Sequence, residues 1–195
     1  MPISKRISGW IFKYRGLFWT VFAIVVLIFP GQYDVFRFAG GTVLLIVGQA
    51  LRFWAAGIIP QYRTETIGAP ELITWGPYAW MRNPLYAGNF IMGFGWAVML
   101  GWGLALAFCA AFIVLYVFIV IPAEEDFLET KFGGEYVEYK KRTPSMFPKL
   151  VGNSANAAAK NGAFDMNVAV SMEKYSVFVN MLTTAAVVAK LFLFK

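Results

Sequence analysis

Three short groups of side chains stand out as able to do chemistry. The first is Asn83-Pro84, inside WGPYAWMRNPLYAGN (residues 75–89), with Tyr78, Trp80 and Tyr86 close by. Asparagine as an N-cap with proline at the first helical position marks a helix start. The N–H groups of that first turn, at a slightly positive helix end, suit a carboxylate or a phosphate. The second group is Glu124-Glu125-Asp126, which directly follows a long apolar run. One of those carboxylates could bind an ammonium or a sulfonium, or all three could simply mark the water interface. The third is Arg142, in KKR ahead of Thr143-Pro144. It could close a site over a ligand, or equally meet anionic lipid headgroups.

Taken together, a helix start for a carboxylate and a glutamate for an ammonium match the amino-acid end of a cofactor such as S-adenosylmethionine. Tyr78, Trp80 and Tyr86 could wall an adenine, although an interfacial aromatic belt explains the same residues. Other chemistries are excluded. The chain has no histidine, so a Ser-His-Asp triad, histidine-ligated haem or zinc, and any histidine base are ruled out. Its one cysteine, Cys109, lies in an apolar run and permits no disulfide framework or thiolate cluster within the chain.

The elements that must position these groups are transmembrane helices. Of the 195 residues 59% are hydrophobic and only 14% charged, against about a quarter charged in soluble domains. The sequence therefore predicts an all-α, polytopic membrane bundle of about five spans. The basic start MPISKRISGWIFKYR leads into a first span ending near Pro30, read as a retained helix because no A-x-A-like site follows. A second span covers about 37–59 and contains Gln49 and Arg52. An arginine facing lipid costs about 2.5 kcal/mol or more, so Arg52 is expected to turn into the bundle towards a carbonyl or carboxylate.

After a polar interfacial loop at 60–83, two apolar helices separated by Gly101-Trp102-Gly103 form an antiparallel hairpin. Gly93, Gly95, Gly101 and Gly103 are expected to let its arms approach closely. AEEDFLETKFGGEYVEYKKRTPSMFPK then reads as two amphipathic helices on the membrane surface, broken at Gly133-Gly134. This gives an N-terminal two-helix region (1–59), a core with the hairpin and charged segment (60–149), an Ala- and Asn-rich linker (150–174) and a last span (175–195). Along that span Ser176, Asn180 and Thr184 recur every four residues, suited to packing on the bundle or on a second copy of the chain.

With the N-terminus, the 60–83 loop and the 123–174 segment on the cytoplasmic side, all of the chain's 17 Lys and Arg but four lie there, the four being Arg37, Arg52, Lys190 and Lys195. The net charge of +6 thus reads as positive-inside bias rather than as a nucleic-acid surface.

GPYAWMRNPLY followed some forty residues later by EEDFLETKFGGEYVEYKKRTP resembles the isoprenylcysteine carboxyl methyltransferase family. The membrane phospholipid methyltransferases are similar more loosely. The resemblance covers roughly residues 60–148. It implies an integral membrane methyltransferase using S-adenosylmethionine, with the cofactor on the cytoplasmic side and a lipophilic acceptor arriving from the bilayer. By position it implies cofactor contacts at Pro70, Glu71, Leu72, Ile73, Tyr78, Asn83, Pro84, Leu85, Tyr86 and Glu124, with a weaker match at Arg63. Where the family usually has histidine this chain has Asn83, and where the eukaryotic prenylcysteine enzymes have an arginine before the acids it has Val120. Methyl transfer is an in-line displacement that needs orientation and exclusion of water. An amine acceptor would also need a base, for which Glu125, Glu124 or a tyrosine are the candidates, and Arg142 would close the site. Two other readings share the architecture: an NADPH-dependent membrane lipid or sterol reductase, and a non-catalytic scaffold.

Overall fold

A computed structural model describes residues 3–59, 71–148 and 164–193, with side chains from residue 16 to residue 192 of these. Among the described residues there are helices and no strands. They are α1 (Ile3–Ile28), α2 (Val35–Ala56), the single turn α3 (Pro77–Trp80), α4 (Pro84–Leu100), α5 (Trp102–Phe112), α6 (Ile121–Phe132), α7 (Gly134–Arg142) and α8 (Met166–Leu193). A π-helical stretch, Ile113–Val120, joins α5 to α6 without a break. Three of these helices are long and apolar enough to cross a membrane: Val35–Ala56, Trp102–Phe132 and Met166–Phe192. Gly16–Ile28 and Pro84–Leu100 are shorter apolar helices. The protein is an integral membrane protein with an all-helical fold.

Of the hairpin glycines, Gly93 does face the other arm, where a Cβ would run into the Phe108 ring, but the backbone-to-backbone packing is between α2 and α4. A Cβ on Gly41 would lie 2.7 Å from the Gly95 carbonyl oxygen, and one on Gly48 would lie 2.8 Å from that of Gly88. The two pairs are each seven residues apart, so two antiparallel helices meet backbone to backbone along one seam. Gly101 makes the hairpin joint at φ 147°, in a region L-residues avoid, while a Cβ on Gly103 would meet nothing within 4 Å.

The acidic segment also differs from expectation. It is not a separate surface helix but the continuation of the hairpin's second arm. Pro122 has no N–H to give and would normally break such a helix. Here the wider π register precedes it, with the Ile121 N–H bonded to the Tyr116 carbonyl five residues back. Only at Gly133, with φ 55°, does the helix stop and turn into α7.

The last helix begins at Met166 rather than near 175, capped by Asp165, whose carboxylate accepts from the Asn167 and Val168 N–H groups. Residues 166–174, expected in the linker, are therefore helical. The small polar face of α8 is used inside the chain: the Asn180 amide donates to Gln49, and the Trp96 indole donates to Thr184 at 3.0 Å. Lys190, an awkward charge for a span, donates to the carbonyls of Val26, Leu27 and Phe29 at the end of α1. It thus serves the carbonyls that a helix C-terminus leaves without partners.

Candidate functional site

The hairpin brings the two chemistry-bearing segments together. Pro84 opens α4 at its first helical position, and the start of α4 faces the first turns of α6. There the Tyr86 hydroxyl donates to Glu124 Oε2 at 2.7 Å. Asn83 is the residue before the helix, but its side chain does not cap α4. Its amide instead donates to Glu125 Oε1 at 3.3 Å, to the Ser145 carbonyl at 3.3 Å and to Ser145 Oγ at 3.1 Å.

Neighbouring residues on a helix point about 100° apart, so Glu124 and Glu125 do different work. Glu124 is half-buried and keeps acceptor capacity beyond the Tyr86 bond. Glu125 is 7% exposed and engaged from three sides. Arg82 grips it with a fork, Nε to Oε1 at 2.9 Å and Nη2 to Oε2 at 3.0 Å, Asn83 adds its amide, and Lys140 Nζ stands 3.7 Å away. Such a carboxylate is held in place by its partners.

Arg82 is the residue the sequence reading passed over. Its Nη1 donates to the Lys140 carbonyl at 3.2 Å and to that of Thr143. Its backbone N–H and that of Asn83 donate to Pro144 and Ser145 carbonyls at 2.9 and 3.0 Å. A strap over 143–147 is thereby tied across the mouth of the hairpin, anchored by buried Thr143 and Met146. The signal was present: an arginine between two proline-marked helix starts, with three acids forty residues on.

Behind Tyr86 stands an aromatic buttress. Tyr116, on the π-helical stretch, lies 5.2 Å from Tyr86 between ring centroids, and its hydroxyl accepts from the Trp19 indole at 2.7 Å. Beneath the strap, Tyr136 and Tyr139 pack with Leu72, and the Tyr139 hydroxyl donates to the Tyr78 carbonyl at 2.6 Å. Burial, reinforced by the Glu125 carboxylate, pushes the Tyr136 phenol well above its ordinary range, and burial does the same for Tyr139.

The other expected site residues divide. Leu85 and Tyr78 pack together with Ala55 and Ala56 behind the helix start. Leu72 is in the tyrosine cluster, Ile73 is half-buried and Glu71 is exposed. Arg142 ends α7 as an exposed residue. Arg63 and Pro70 lie outside the described residues.

A second polar centre lies deeper in the bundle. Arg52 reaches Glu173 with Nε at 2.9 Å and Nη2 at 2.6 Å, and donates from Nη1 to Asn89 Oδ1 at 2.6 Å. Gln49 adds a 3.2 Å bond to Glu173, which is 2% exposed. The inward turn of Arg52 was expected; its carboxylate partner, placed in the linker by the sequence reading, was not. Among the described residues no group of three or more His, Cys, Asp or Glu is placed to hold a metal ion.

These features define a class: a helical integral membrane protein with a polar site at the mouth of a hairpin, lidded by a charged cap. The chain belongs to the phospholipid methyltransferase family, whose model matches residues 36–135, just over half of it. It is 34% identical over 136 residues to the nickel-cobalt-cadmium resistance protein NccN of Alcaligenes xylosoxydans xylosoxydans, covering 68% of this chain and 59% of that one. It is 34% identical over 132 residues to protein-S-isoprenylcysteine O-methyltransferase B of Arabidopsis thaliana, covering 63% and 66%. With the Rattus norvegicus protein-S-isoprenylcysteine O-methyltransferase it shares 30% over 159 residues, covering 75% and 50%. The chain thus spans between half and two-thirds of the length of these relatives. No solved structure matches it significantly.

Proposed function

We propose that the protein is a membrane methyltransferase that takes its methyl group from S-adenosylmethionine and passes it to a lipophilic acceptor arriving from the bilayer. The observation that carries this reading is the 2.7 Å bond between Tyr86 and Glu124. It sets an acidic oxygen against the start of a helix, the pair of features an α-amino acid group needs at its two ends. Family membership adds the class of reaction. The residues present fit the ammonium of the cofactor's amino-acid end: Glu124 retains acceptor capacity beside the start of α4.

The cofactor would supply an electrophilic methyl group. The chain's own work is positioning and exclusion of water. Glu124 would hold the ammonium, with its orientation fixed by Tyr86 and, through ring contact, by Tyr116. Glu125, expected as a base, is better assigned to holding the cap onto the helix start. Arg142 would close the open side. The loop with Arg63, Pro70, Glu71, Leu72 and Ile73 is assigned to the remaining face of the cofactor on the family resemblance. The distribution of Lys and Arg supports five spans with the N-terminus and the site both cytoplasmic.

Titration calorimetry on the purified protein tests the reading. S-adenosylmethionine should bind and NADPH should not, and Glu124→Ala should weaken binding by at least about tenfold, the value of one hydrogen bond to a charged group. Unchanged affinity in a folded Glu124→Ala protein would remove Glu124 from the site. Mass spectrometry of a lipid extract after incubation with labelled donor would then identify the acceptor, and label in no lipid would leave the scaffold reading.

A further inference from the structure

The first helix lies outside the family-matched segment, which begins at residue 36, yet it reaches the candidate site through one side chain. Trp19 of α1 donates its indole N–H to the Tyr116 hydroxyl at 2.7 Å. Tyr116 is 1% exposed and closed in by rings. Phe112 stacks on it at 4.3 Å between centroids, and Phe18 meets it edge-on at 5.7 Å. On another side the Tyr86 ring stands 5.2 Å away, and the Tyr86 hydroxyl donates to Glu124 at 2.7 Å. The indole on α1 and the Glu124 carboxylate are thus the two ends of one contact path.

The π-helical stretch is what puts Tyr116 on that path. Phe112, Tyr116, Val120 and Glu124 are spaced four apart, and the first three are buried. In an α-helix each step of four overshoots a full turn by about 40°, so Tyr116 and Glu124 would point about 80° apart. A π turn holds more residues, so a step of four inside it falls short of a full turn and offsets that drift. With the π register over Ile113–Val120, both side chains meet Tyr86. Apolar ring contacts are non-directional and hold Tyr116 loosely in its own plane. The bond from Trp19 is directional and fixes where that ring ends. A buried indole N–H usually finds some partner, so the bond alone speaks only of packing. What singles it out is its acceptor, the ring against which Tyr86 rests. The Trp96 indole, by contrast, donates to Thr184 on α8.

We propose that Trp19 is a positioning residue of the site. It holds Tyr116, Tyr116 holds the Tyr86 ring, and the Tyr86 hydroxyl is thereby aimed at the Glu124 carboxylate that receives the ammonium. The last link rests on the S-adenosylmethionine reading above. The first helix then contributes to the site as well as to the membrane anchor.

Two measurements on the full chain in nanodiscs test this. The first needs no cofactor: 3-fluorotyrosine placed at position 86 reports the surroundings of that ring by fluorine NMR. Glu124→Gln should move its signal, which calibrates the probe. Trp19→Phe keeps a ring but removes the N–H, and should move or broaden the signal by more than a linewidth. Tyr116→Phe removes the acceptor and should do the same, and the two together should add nothing beyond either alone. Trp96→Phe removes a comparable core bond and should leave the signal in place. The second measurement is titration with S-adenosylmethionine. Trp19→Phe should weaken binding by about threefold to tenfold, the reach of one hydrogen bond. In a Tyr86→Phe background, where the bond to Glu124 is already gone, it should change affinity by less than about twofold. A general loss of stability would weaken both backgrounds alike. A fluorine signal unmoved by Trp19→Phe, one moved as far by Trp96→Phe, or an affinity loss of equal size in both backgrounds would each overturn the proposal. If the unsubstituted chain binds no S-adenosylmethionine, the functional reading fails, and the fluorine result alone decides whether Trp19 positions Tyr86.

Discussion

The Arg82–Glu125 pair offers the sharpest test of how the site is held together. Both side chains are about nine-tenths buried, at 10% and 9% exposure, so truncating one leaves the other charge in a poorly solvated place. Breaking such a pair costs about 3–5 kcal/mol. For Arg82→Ala, Lys140 and Asn83 remain within 3.7 and 3.3 Å of Glu125 and soften the loss. The Lys140 and Thr143 carbonyls, however, lose their hydrogen bonds from Nη1 at once, at about 1 kcal/mol each. The middle of the range, about 4 kcal/mol, is therefore expected. At about 2–4 °C per kcal/mol for a chain of this size, the melting temperature should fall by about 8–16 °C, followed by tryptophan fluorescence in detergent. Arg82→Lys keeps the charge but not the fork and should recover less than half. The decisive measurement is the double-mutant cycle with Glu125→Gln. If the fork holds the cap, the double variant costs about 2 kcal/mol less than the sum of the singles. Additivity within about 0.5 kcal/mol would refute the clamp and return Glu125 to the list of candidate bases.

Two further predictions concern the scaffold. Gly40 and Gly41 are adjacent, but a Cβ on Gly40 meets nothing within 4 Å while one on Gly41 meets a backbone carbonyl at 2.7 Å. Gly40→Ala should therefore stabilise by about 0.5 kcal/mol, whereas Gly41→Ala should destabilise by about 1–3 kcal/mol; thermal unfolding of the two variants checks it, and equal effects would contradict the α2–α4 seam. The raised Tyr136 and Tyr139 phenols make alkaline stability a second readout. Their folded pKa values lie above the unfolded value near 10, so the stabilisation is complete below pH 10 and declines as the pH rises further. The slope should reach about 1.4 kcal/mol per pH unit for each tyrosine. Tyr139→Phe should roughly halve that slope in unfolding followed by tyrosinate absorbance.

What could be read from the sequence was whatever depended on local chemistry. Asn83-Pro84 announces the start of α4 because proline's fixed φ and missing N–H fit only that end of a helix. The pairing of that start with the acids also follows, since a hairpin this tight returns the chain to the same side. Which acid meets which partner did not follow, because it depends on helical phase, and the phase is reset by the π-helical stretch at Ile113–Val120. The same stretch carries the helix through Pro122, where a proline rule places a boundary. Glu173 was unreadable for another reason: beside Lys174, after a run of Ala and Asn, it looks like a solvated linker residue. Its partner Arg52 is 121 positions away.

The two arginines explain how distant pieces become one molecule. α2 and α4, joined along a glycine seam, form a platform that carries two guanidinium groups: Arg82 just before the start of α4, and Arg52 of α2 bonded to Asn89, five residues beyond Pro84 and about 7.5 Å along the helix. Each takes a carboxylate from an element that folds onto the platform later in the sequence, Glu125 from α6 and Glu173 from α8. Arg52 lies within the family-matched segment and Glu173 outside it. Without that carboxylate a guanidinium buried inside the bundle, near the end of a span, would be left uncompensated. α8 is thus bound to the core by the core's own unmet charge. The same ion pair, through Asn89, braces the helix whose first turn lies at the candidate site.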